Sequence, residues 1–497
     1  MSFIRHSEDV DRIAEVKRLF EYVSFIPGFR EKYAADPAGT LSQLGLTHIT
    51  LNDLAMNQTK DGAFVPQYAN GALSRYHEFV RAKLEWREQI KRESASTEPT
   101  FEKWRSRQIN RCAAAFSSAR SVALIHAVAS FELSDGCSVG CPFCGLSAGR
   151  LKKVFRYTEE NAKLWNDVLA AMQRVLGDCV RHAPCYYGTE PTDNPDYELF
   201  IEDFRNRFGI YPQLTTAVAC RDLDRTAAIV GTADPLKDSN IHRFSIRCEE
   251  DFHRIVERFT PRELLLFELL AQYEAAPACA IIRVGKNASG DDISYGETIS
   301  CVSGFLVNMA TRTIRLITPV GASKRFPNGQ KCIGEATFTD AVDFEDKLKQ
   351  LIAGIKLALS PKETAALYPW LNGREDGGRY LLENDFDHCL DLTGIHSLPV
   401  VKRLVALLRE RSYTRRQIVD KLQSEFPDMD RMALMYAINT FFNLGFIWDS
   451  EIFGAPDADA IADYHAPDKT PIPPVDPDGR ALLMCAPDNI AKTPREV

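Results

Sequence analysis

The sequence has no long hydrophobic run. Its 497 residues include no stretch of about 18 apolar residues, so we predict no membrane span. Residues 1–16 are charged and lack the apolar centre of a secretion signal. Basic residues are not in excess either, because 60 Lys and Arg stand against 68 Asp and Glu, a net charge of −8. This balance argues against binding to nucleic-acid backbones. We therefore expect a cytoplasmic protein for which neither a membrane nor nucleic acid is a partner.

The sequence also lacks the setting in which cysteines form disulfides. It contains 13 cysteines and no secretion signal, which favours reduced thiols and a metal site over a disulfide framework. No internal repeat is evident. A chain of this length should hold more than one domain, since one domain is roughly 100–200 residues.

Three of the cysteines are close together. Cys137, Cys141 and Cys144 stand as Cys-x3-Cys-x2-Cys in the run FELSDGCSVGCPFCG. A fully ligated cubane cluster takes four cysteines, so three would leave one iron open to a ligand that takes part in chemistry. The alternatives are a zinc knuckle or three free cysteines. Structural zinc takes four ligands, and the next cysteine is Cys179, so we favour the cluster.

Hydrophobic patterns divide the chain into regions. Apolar residues at three- and four-residue steps predict helices near the N-terminus. From about residue 120, strand-like and helical runs alternate, which predicts a parallel sheet with crossover helices and an active site at the carboxyl ends of its strands. The predicted strands are 123–133, 184–187, 213–218 and 241–246, and the helices between them are 159–180, 196–208 and 223–230.

The second half of the chain departs from this alternation. Two strand-like runs, 302–309 and 313–319, predict a β-hairpin. Residues 397–449 resemble a helix-turn-helix or winged-helix unit, and protein or peptide docking is favoured over DNA because its third segment carries only Arg431. The predicted regions are an N-terminal helical region at 1–118, a core at 119–300, a hairpin and helical extension at 301–395, a winged-helix-like module at 396–452, and a poorly ordered tail at 453–497.

The cysteine motif resembles that of the radical S-adenosylmethionine (SAM) enzymes. Phe143 stands directly before the last cysteine, where this superfamily usually has an aromatic residue. The resemblance implies a partial (β/α)6 barrel, a [4Fe–4S] cluster bound by Cys137, Cys141 and Cys144, and SAM bound to the open iron. Reductive cleavage of SAM would then give a 5′-deoxyadenosyl radical that abstracts hydrogen.

Two other runs carry the resemblance further. Gly188, Thr189 and Glu190 take the place of the Gly-Gly-Glu-like motif that holds the SAM amino group, with Thr replacing the second Gly. Ser245 and Arg247 lie on one face of a predicted strand, where the superfamily contacts the SAM ribose and carboxylate. An ordinary loop and a salt-bridged surface Arg are the alternatives.

Within the superfamily the chain resembles the peptide-modifying maturases, and among them the proteusin-type peptide epimerases. The segment FREKYAADPAGTLSQLGL, residues 29–46, resembles the helical core of nitrile-hydratase-like leader peptides, although a small helical cap is an alternative. An epimerase needs a thiol that returns hydrogen to the substrate Cα. Cys332 is the first candidate donor, Cys389 the second and Cys301 the third, although any of them could be an ordinary free cysteine.

The resemblance therefore implies a radical SAM epimerase that converts L- to D-residues in a ribosomally made precursor peptide. The thiyl left on the donor cysteine would be re-reduced by an external electron donor. A maturase that forms a thioether or carbon–carbon crosslink is the main alternative, and auxiliary clusters are not excluded. A leader-peptide- or DNA-binding protein with a vestigial cluster is the non-enzymatic alternative.

Overall fold

The computed structural model describes residues 3–4, 7–58, 64–93, 95–116, 118–237, 240–288, 297–384 and 389–457. In this part of the chain, helices and strands are mixed along the sequence. The helices, α1 to α15, are Asp9–Phe25, Phe29–Ala35, Pro37–Gln43, Ala72–Glu93, Pro99–Ala115, Ser118–Ala123, Glu159–Leu176, Tyr197–Phe208, Leu223–Val230, Glu249–Arg258, Ala341–Ala353, Leu398–Glu410, Arg415–Glu425, Arg431–Asn443 and Ser450–Phe453. None of them has both the length and the apolar character of a membrane span.

The strands of the described residues form five sheets. The strands, β1 to β14, are Met56–Gln58, Phe64–Pro66, Ala127–Glu132, Ser134–Asp135, Lys153–Val154, Thr215–Thr216, His242–Ile246, Phe267–Ala271, Val302–Asn308, Thr313–Pro319, Gln330–Thr337, Asn372–Asp376, Arg379–Glu383 and Cys389–Asp391. Their orders are β1-β2, β4-β5, β6-β7-β8, β11-β10-β9-β3 and β12-β13-β14.

Two of these sheets contain the parallel pairs. β3 pairs in parallel with β9, and β10 and β11 continue that sheet in antiparallel order. β6, β7 and β8 are parallel throughout. Residues 184–187 run beside β3, because Phe131 N donates to Pro184 O at 2.9 Å and Ser130 Oγ donates to Tyr186 O.

The four-stranded sheet has two faces with different surroundings. One face packs against the helices of the largest hydrophobic core through Phe131, Phe305 and Ile314. The opposite face, which we call the inner face, carries Ala127, Val302, Leu306 and Ile317, with Tyr187 and Cys301 against them. Along β9 and β10 the pattern follows from the period of two, which sends alternate side chains to opposite faces, and the register shift between Ala127 and Ala129 separates Ala127 from the face of Phe131.

The crossover helix α7 illustrates how local sequence sets the elements. Thr158 caps its start by accepting from Asn161 N at 3.3 Å, and the helix ends at Gly177, whose φ of 88° suits glycine. Between these ends an apolar stripe is buried against the sheet. Trp165 lies in this stripe and packs edge-to-face on Phe131 of β3 with ring centroids 5.1 Å apart.

The N-terminal helices pack onto the parallel sheet β6-β7-β8. Phe25 of α1 stacks on Phe252 of α10 with ring centroids 4.7 Å apart. Tyr273 Oη, just after β8, donates to Phe25 O at 2.6 Å. The leader-like segment belongs to a neighbouring core, in which Phe29, Tyr33 and Leu41 are buried together with Leu265, just before β8.

The C-terminal helices pack around a separate hydrophobic core that is rich in aromatic residues. α12, α13 and α14 occupy the segment for which three helices were predicted. Arg431, the basic residue of the third segment, is paired with Asp420 at 2.6 Å. Arg107 of α5 reaches this core and lies 3.3 Å from Asp449.

The mixed α/β class predicted from the sequence is confirmed, whereas the partial (β/α)6 barrel is not, because the described strands form no closed barrel. The predicted strand 184–187 is not a regular strand. Pro184 has no N–H to donate, so this segment meets β3 through its carbonyl oxygens. The helix predicted at 159–180 ends at Leu176, and the strand predicted at 213–218 is reduced to Thr215–Thr216. Most of the predicted tail, residues 458–497, lies outside the described residues.

Candidate metal and cofactor site

The three motif cysteines lie on one loop, residues 136–152, which we call the cysteine loop. It begins after β3, and the antiparallel pair β4-β5 closes its base. Cys137 N donates to Gly149 O at 2.9 Å, and Leu151 N donates to Cys137 O at 3.2 Å. Gly136 has a φ of 85°, and a Cβ there would lie 2.2 Å from Arg150 O. Only glycine therefore allows this close return of the chain.

The three thiols are neighbours. All three cysteines are half-buried. Burial raises the pKa of Cys141 to about 11, and the nearby thiols of Cys137 and Cys144 add to the shift. Val139 N donates to Cys137 Sγ at 3.4 Å and Ala148 N to Cys144 Sγ at 3.4 Å. These backbone donors would stabilise sulfur in its charged form.

The three thiols of the cysteine loop are the donor set available to a metal or cluster. No group of three or more His, Cys, Asp or Glu side chains in the described residues is arranged to hold one metal ion. The ligands of one zinc ion sit about 2.0–2.3 Å from it, and so within about 4 Å of each other. A cubane cluster binds each thiolate at a different iron, so its three ligands can lie further apart on a loop of this length.

A cavity of about 440 Å³ opens beside the cysteine loop. Residues 139–143 line one side, which brings Cys141 and Phe143 to it. The opposite side is lined by residues that follow β7 and β8, namely Arg247, Gln272, Tyr273, Glu274 and Ile281. Arg247 is close enough to Cys141 for its charge to lower the thiol's pKa. The sequence predicted that Phe143 and Arg247 serve one cofactor, and the structure brings both to this cavity.

Ser245 and Arg247 are placed as the alternation of β7 predicts. Ser245 is half-buried, its neighbours Phe244 and Ile246 are buried, and Arg247 is exposed at the strand end. The Arg247 guanidinium lies 3.4 Å from Asp251 on the first turn of α10. A surface ion pair of this kind contributes little to stability, so Arg247 remains available to a ligand in the cavity.

Glu190, predicted to accept from the SAM amino group, bonds to neighbouring protein groups in this structure. It is buried, and its carboxylate accepts four hydrogen bonds: from Thr192 N at 3.2 Å, Thr192 Oγ1 at 2.8 Å, Thr216 Oγ1 at 2.6 Å and Ala217 N at 3.0 Å. A carboxylate has about four acceptor positions. Burial raises its pKa, and these hydrogen bonds partly offset the shift. The carboxylate thus holds its own loop, residues 188–196, which we call the glutamate loop.

Asp193 ties the glutamate loop to the cysteine loop, and sequence reasoning missed it. Its carboxylate accepts from Ser138 N at 2.7 Å and also from the Ser138 hydroxyl. Arg221 donates to Asp193 at 3.0 Å and to Ser138 Oγ at 2.9 Å. The position of Asp193 in the run GTEPTDNPD was the available indication, but nothing in the sequence paired it with Ser138.

Glu132 is a second residue that sequence reasoning missed. This last residue of β3 is buried and accepts from Gly188 N at 2.7 Å and from Asn308 Nδ2 at 3.0 Å. Arg315 lies 4.0 Å away. Burial raises its pKa. A single carboxylate inside the apolar stretch 123–133 was the signal that could have identified it. Through it, β3 fixes the position of Gly188, while Thr189 beside it is half-buried.

The structure separates the three candidate hydrogen donors. Cys332 lies opposite Ile317 in the β10-β11 pair, and directly opposed side chains share a face, so Cys332 is on the inner face. Cys301 is also on the inner face. Burial raises its pKa, and the charge of Arg243 from β7 partly offsets that increase. Cys389 lies on β14 in another sheet, opposite Glu383. The inner face therefore brings together the first and third candidates, but not Cys389.

Comparison with known proteins gives a match to a protein that is itself uncharacterized. The chain is 36% identical over 303 residues to an uncharacterized protein, y4wI, of Sinorhizobium fredii strain NGR234. The matched region covers 58% of this chain and 59% of that protein, so the chain spans about three-fifths of the length of this relative. No protein family matches the chain, and no solved structure matches it.

Proposed function

We propose that the protein is a radical SAM enzyme of the cytoplasm that epimerises residues of a ribosomally made precursor peptide. The observation that carries the proposal is the shared cavity, where the cysteine loop with Cys141 and Phe143 faces Arg247 at the end of a parallel strand. Clustered thiols and a carboxylate-binding guanidinium around one cavity are the groups that a cluster and an amino-acid-like cofactor need together.

The residues that would hold the cofactors follow from this arrangement. Cys137, Cys141 and Cys144 are the proposed ligands of a [4Fe–4S] cluster. The loop containing Gly188 and Thr189, held in shape by Glu190, is proposed for the SAM amino group, and Ser245 and Arg247 for its ribose and carboxylate. When bound, the cluster and SAM supply the electron and the carbon radical that removes a hydrogen atom from the substrate.

The thiol of Cys332 is proposed to return the hydrogen atom. Cys332 is an exposed residue, yet partial desolvation of its thiol raises the pKa above the ordinary value, and a thiol of ordinary pKa already carries hydrogen on Sγ at neutral pH. That is a requirement for a hydrogen-atom donor, since a thiolate has no S–H bond to break. The S–H hydrogen moves to the substrate Cα, and an external donor restores the thiol with one electron and one proton. Leu306 and Ile317 on the same face exclude water.

The partial (β/α)6 barrel belongs to this proposal. β3, residues 184–187, β6, β7 and β8 follow one another in chain order, and Arg243 N of β7 donates to Leu214 O at 2.9 Å, just before β6. A curved arrangement of these segments would place the cysteine loop and Arg247 at the same carboxyl edge, as the shared cavity requires.

Anaerobic reconstitution tests the cofactor assignment. The parent protein, given iron, sulfide, reductant and SAM, should show the visible absorbance of one [4Fe–4S] cluster and release 5′-deoxyadenosine. The variant with Ala at Cys137, Cys141 and Cys144 should show neither, whereas Cys389→Ala should retain both. A full iron complement in the triple variant would refute the ligand assignment.

Co-expression in deuterated water tests the reaction. Sequencing of the DNA next to the gene identifies any short open reading frame that encodes a precursor peptide, and that peptide is the probe. Epimerisation adds one dalton per modified residue, whereas a crosslink removes two hydrogens. Cys332→Ala should stop deuterium incorporation while 5′-deoxyadenosine is still formed, and Cys389→Ala should behave like the parent. A product two hydrogens lighter would favour a thioether- or carbon–carbon-forming maturase instead.

A further inference from the structure

Strand β11 is an edge of its sheet in the part of the chain that the structure describes. It is eight residues long, Gln330–Thr337, and pairs with β10 on one side only among the described residues. Natural proteins usually shorten, cover or block such edges, because the free N–H and C=O groups of an edge accept another strand. We therefore expect an edge of this length to pair with a strand from another segment or molecule.

Cys332 and Glu335 direct their backbone N–H and C=O groups to the free edge of β11. Phe338 N donates to Arg312 O at 3.0 Å, and Val320 N donates to Gly329 O at 3.0 Å, one pair beyond each end of the β10-β11 ladder. Bonded and non-bonded pairs alternate in antiparallel strands. Glu335, opposite Arg315, and Cys332, opposite Ile317, are therefore in non-bonded pairs. Their N–H and C=O groups point to the free edge, and both residues are exposed.

A β-bulge directs the thiol of Cys332 to the inner face. The register places Gly334 opposite Leu316 and Cys332 opposite Ile317, so Ile333 has no partner. Ile333 packs instead against the hydrophobic cores on the other side. Without the extra residue, Ile333 would take the inner position and Cys332 would point away. Cys332 thus offers its backbone to the free edge and its thiol to the inner face.

We infer that β11 binds an extended segment of the substrate peptide as an additional strand. That the segment is substrate rests on the proposed function, because Cys332 on the same strand is the proposed hydrogen donor. Strand addition bonds mainly through the peptide backbone, so one edge can take segments of different sequence. A second copy of the chain is a poorer occupant, since the bulge twists the edge and two rigid bulged strands match less well than one flexible segment.

The edge can be blocked without breaking its own sheet. Glu335→Pro removes an N–H that points outward and leaves the bonds to β10 in place, and proline is tolerated on edge strands when its N–H side faces solvent. Glu335→Ala removes the side chain alone. Asp391→Pro is the matched control: Leu392 N donates to Tyr380 O at 2.9 Å, so Asp391 N also points to the free edge of its own sheet.

The probe is a fluorescein-labelled peptide selected on the parent protein from a phage library of random linear dodecamers. Fluorescence polarisation should give an affinity roughly tenfold weaker for Glu335→Pro, the effect of losing one or two backbone hydrogen bonds. Glu335→Ala and Asp391→Pro should stay close to the parent. N-methylation of the peptide at every second residue should weaken binding, and methylation at the intervening residues should not.

Several outcomes would overturn the inference. These are equal binding by Glu335→Pro and the parent, no alternation in the N-methylation series, or a library that yields no binder. Parent dimerisation in sedimentation that Glu335→Pro abolishes would identify a second copy as the occupant and overturn it too. SAM cleavage by the parent is measured separately. If cleavage fails while edge-dependent binding is found, the proposed function is wrong and the peptide-binding edge stands.

Discussion

The cysteine loop and the glutamate loop lie side by side but are completed in different ways. In the glutamate loop, Glu190 has all its acceptor positions filled, and Asn194 Nδ2 donates to Leu133 O at 3.1 Å and Phe155 O at 2.8 Å. In the cysteine loop, the backbone is bonded, but Cys137 and Cys144 have only weak N–H contacts to sulfur. The glutamate loop is therefore held by hydrogen bonds to the segments around it. The sulfur atoms of the cysteine loop have weaker partners, so we expect a ligand to stabilise the cysteine loop more than the glutamate loop.

The largest expected effect comes from removing one thiol. Cys141→Ala should reduce cluster absorbance and SAM cleavage to background, because the cluster would lose a ligand at the cavity. Reconstitution should raise the melting temperature of the parent, since a ligand that binds the folded state stabilises it, and should not raise that of the variant. Calorimetry before and after reconstitution measures this. An equal rise in melting temperature for the parent and for Cys141→Ala would contradict the expectation that a ligand stabilises the cysteine loop through this thiol.

Glu190→Ala should act on stability and on SAM together. The change leaves the buried Thr216 hydroxyl and the half-buried Ala217 N–H without this acceptor, at about 1–3 kcal/mol each, so the free energy of unfolding should fall by about 2–6 kcal/mol. SAM affinity should fall as well, because the loop proposed for its amino group loses its support, while the cluster still assembles. Glu202→Ala on the exposed side of α8 is the control. Unchanged SAM affinity would show that the loop does not serve SAM.

As the pH is lowered, the glutamate loop should open at a higher pH than the cysteine loop. His242, at the start of β7, is buried and accepts from Leu214 N at 3.2 Å, and burial lowers its pKa to about 4. Its folded pKa is below the ordinary value of about 6.5, so its contribution is complete above pH 6.5 and is lost as pH falls towards 4. The full loss is up to about 3 kcal/mol.

Urea unfolding at pH 7 and pH 4.5 measures this dependence. His242→Asn should reduce the difference between the two pH values. Hydrogen exchange should report opening first around Thr216, whose hydroxyl bonds to Glu190 and whose strand pairs with β7. Opening of the cysteine loop first would reverse the proposed order.

The smallest effect is expected at the bridge between the two loops. Asp193→Asn keeps the shape but weakens the charged contact to Arg221, at about 0.5–1.5 kcal/mol. Iron content should be unchanged, and the SAM Kd should rise by roughly two- to tenfold. Asp167→Asn, on the exposed face of α7, is the control. An unchanged SAM Kd would mean that the loops are aligned independently.

The sequence predicted the parts of the fold that depend on local pattern. The helices at 197–208 and 223–230 and the hairpin strands near 302–319 are found within a few residues of their predicted ends, because periodicity and capping residues determine them. The predicted strands at 213–218 and 184–187 are longer and more regular than those in the structure, which has only Thr215–Thr216 and an irregular segment there. Their apolar residues are buried, but Pro184 limits the ladder, and an apolar run alone does not reveal where backbone pairing stops.

The candidate site was predictable where its residues are close in sequence. Cys137, Cys141 and Cys144 were singled out by their spacing, Phe143 by the resemblance, and Arg247 by the resemblance together with alternation on one strand. Asp193 and Glu132 were not, because their partners Ser138 and Asn308 are 55 and 176 residues away. The position of Cys332 on the inner face depends on a bulge at Ile333, which no local pattern of the sequence reveals.

The contact between α1 and β8 has a consequence during synthesis. Phe25 O accepts from Tyr273 Oη, 248 residues later in the chain, and Phe25 also stacks on Phe252. At about 5–20 residues per second, the ribosome needs roughly 12–50 s to make these partners of Phe25, whereas α4, which packs on α1 through Tyr76 and Phe20, is made much sooner. Until then the end of α1 around Phe25 has to be shielded in another way, so the protein should depend on early chaperone contact at its N-terminus more than on help after release.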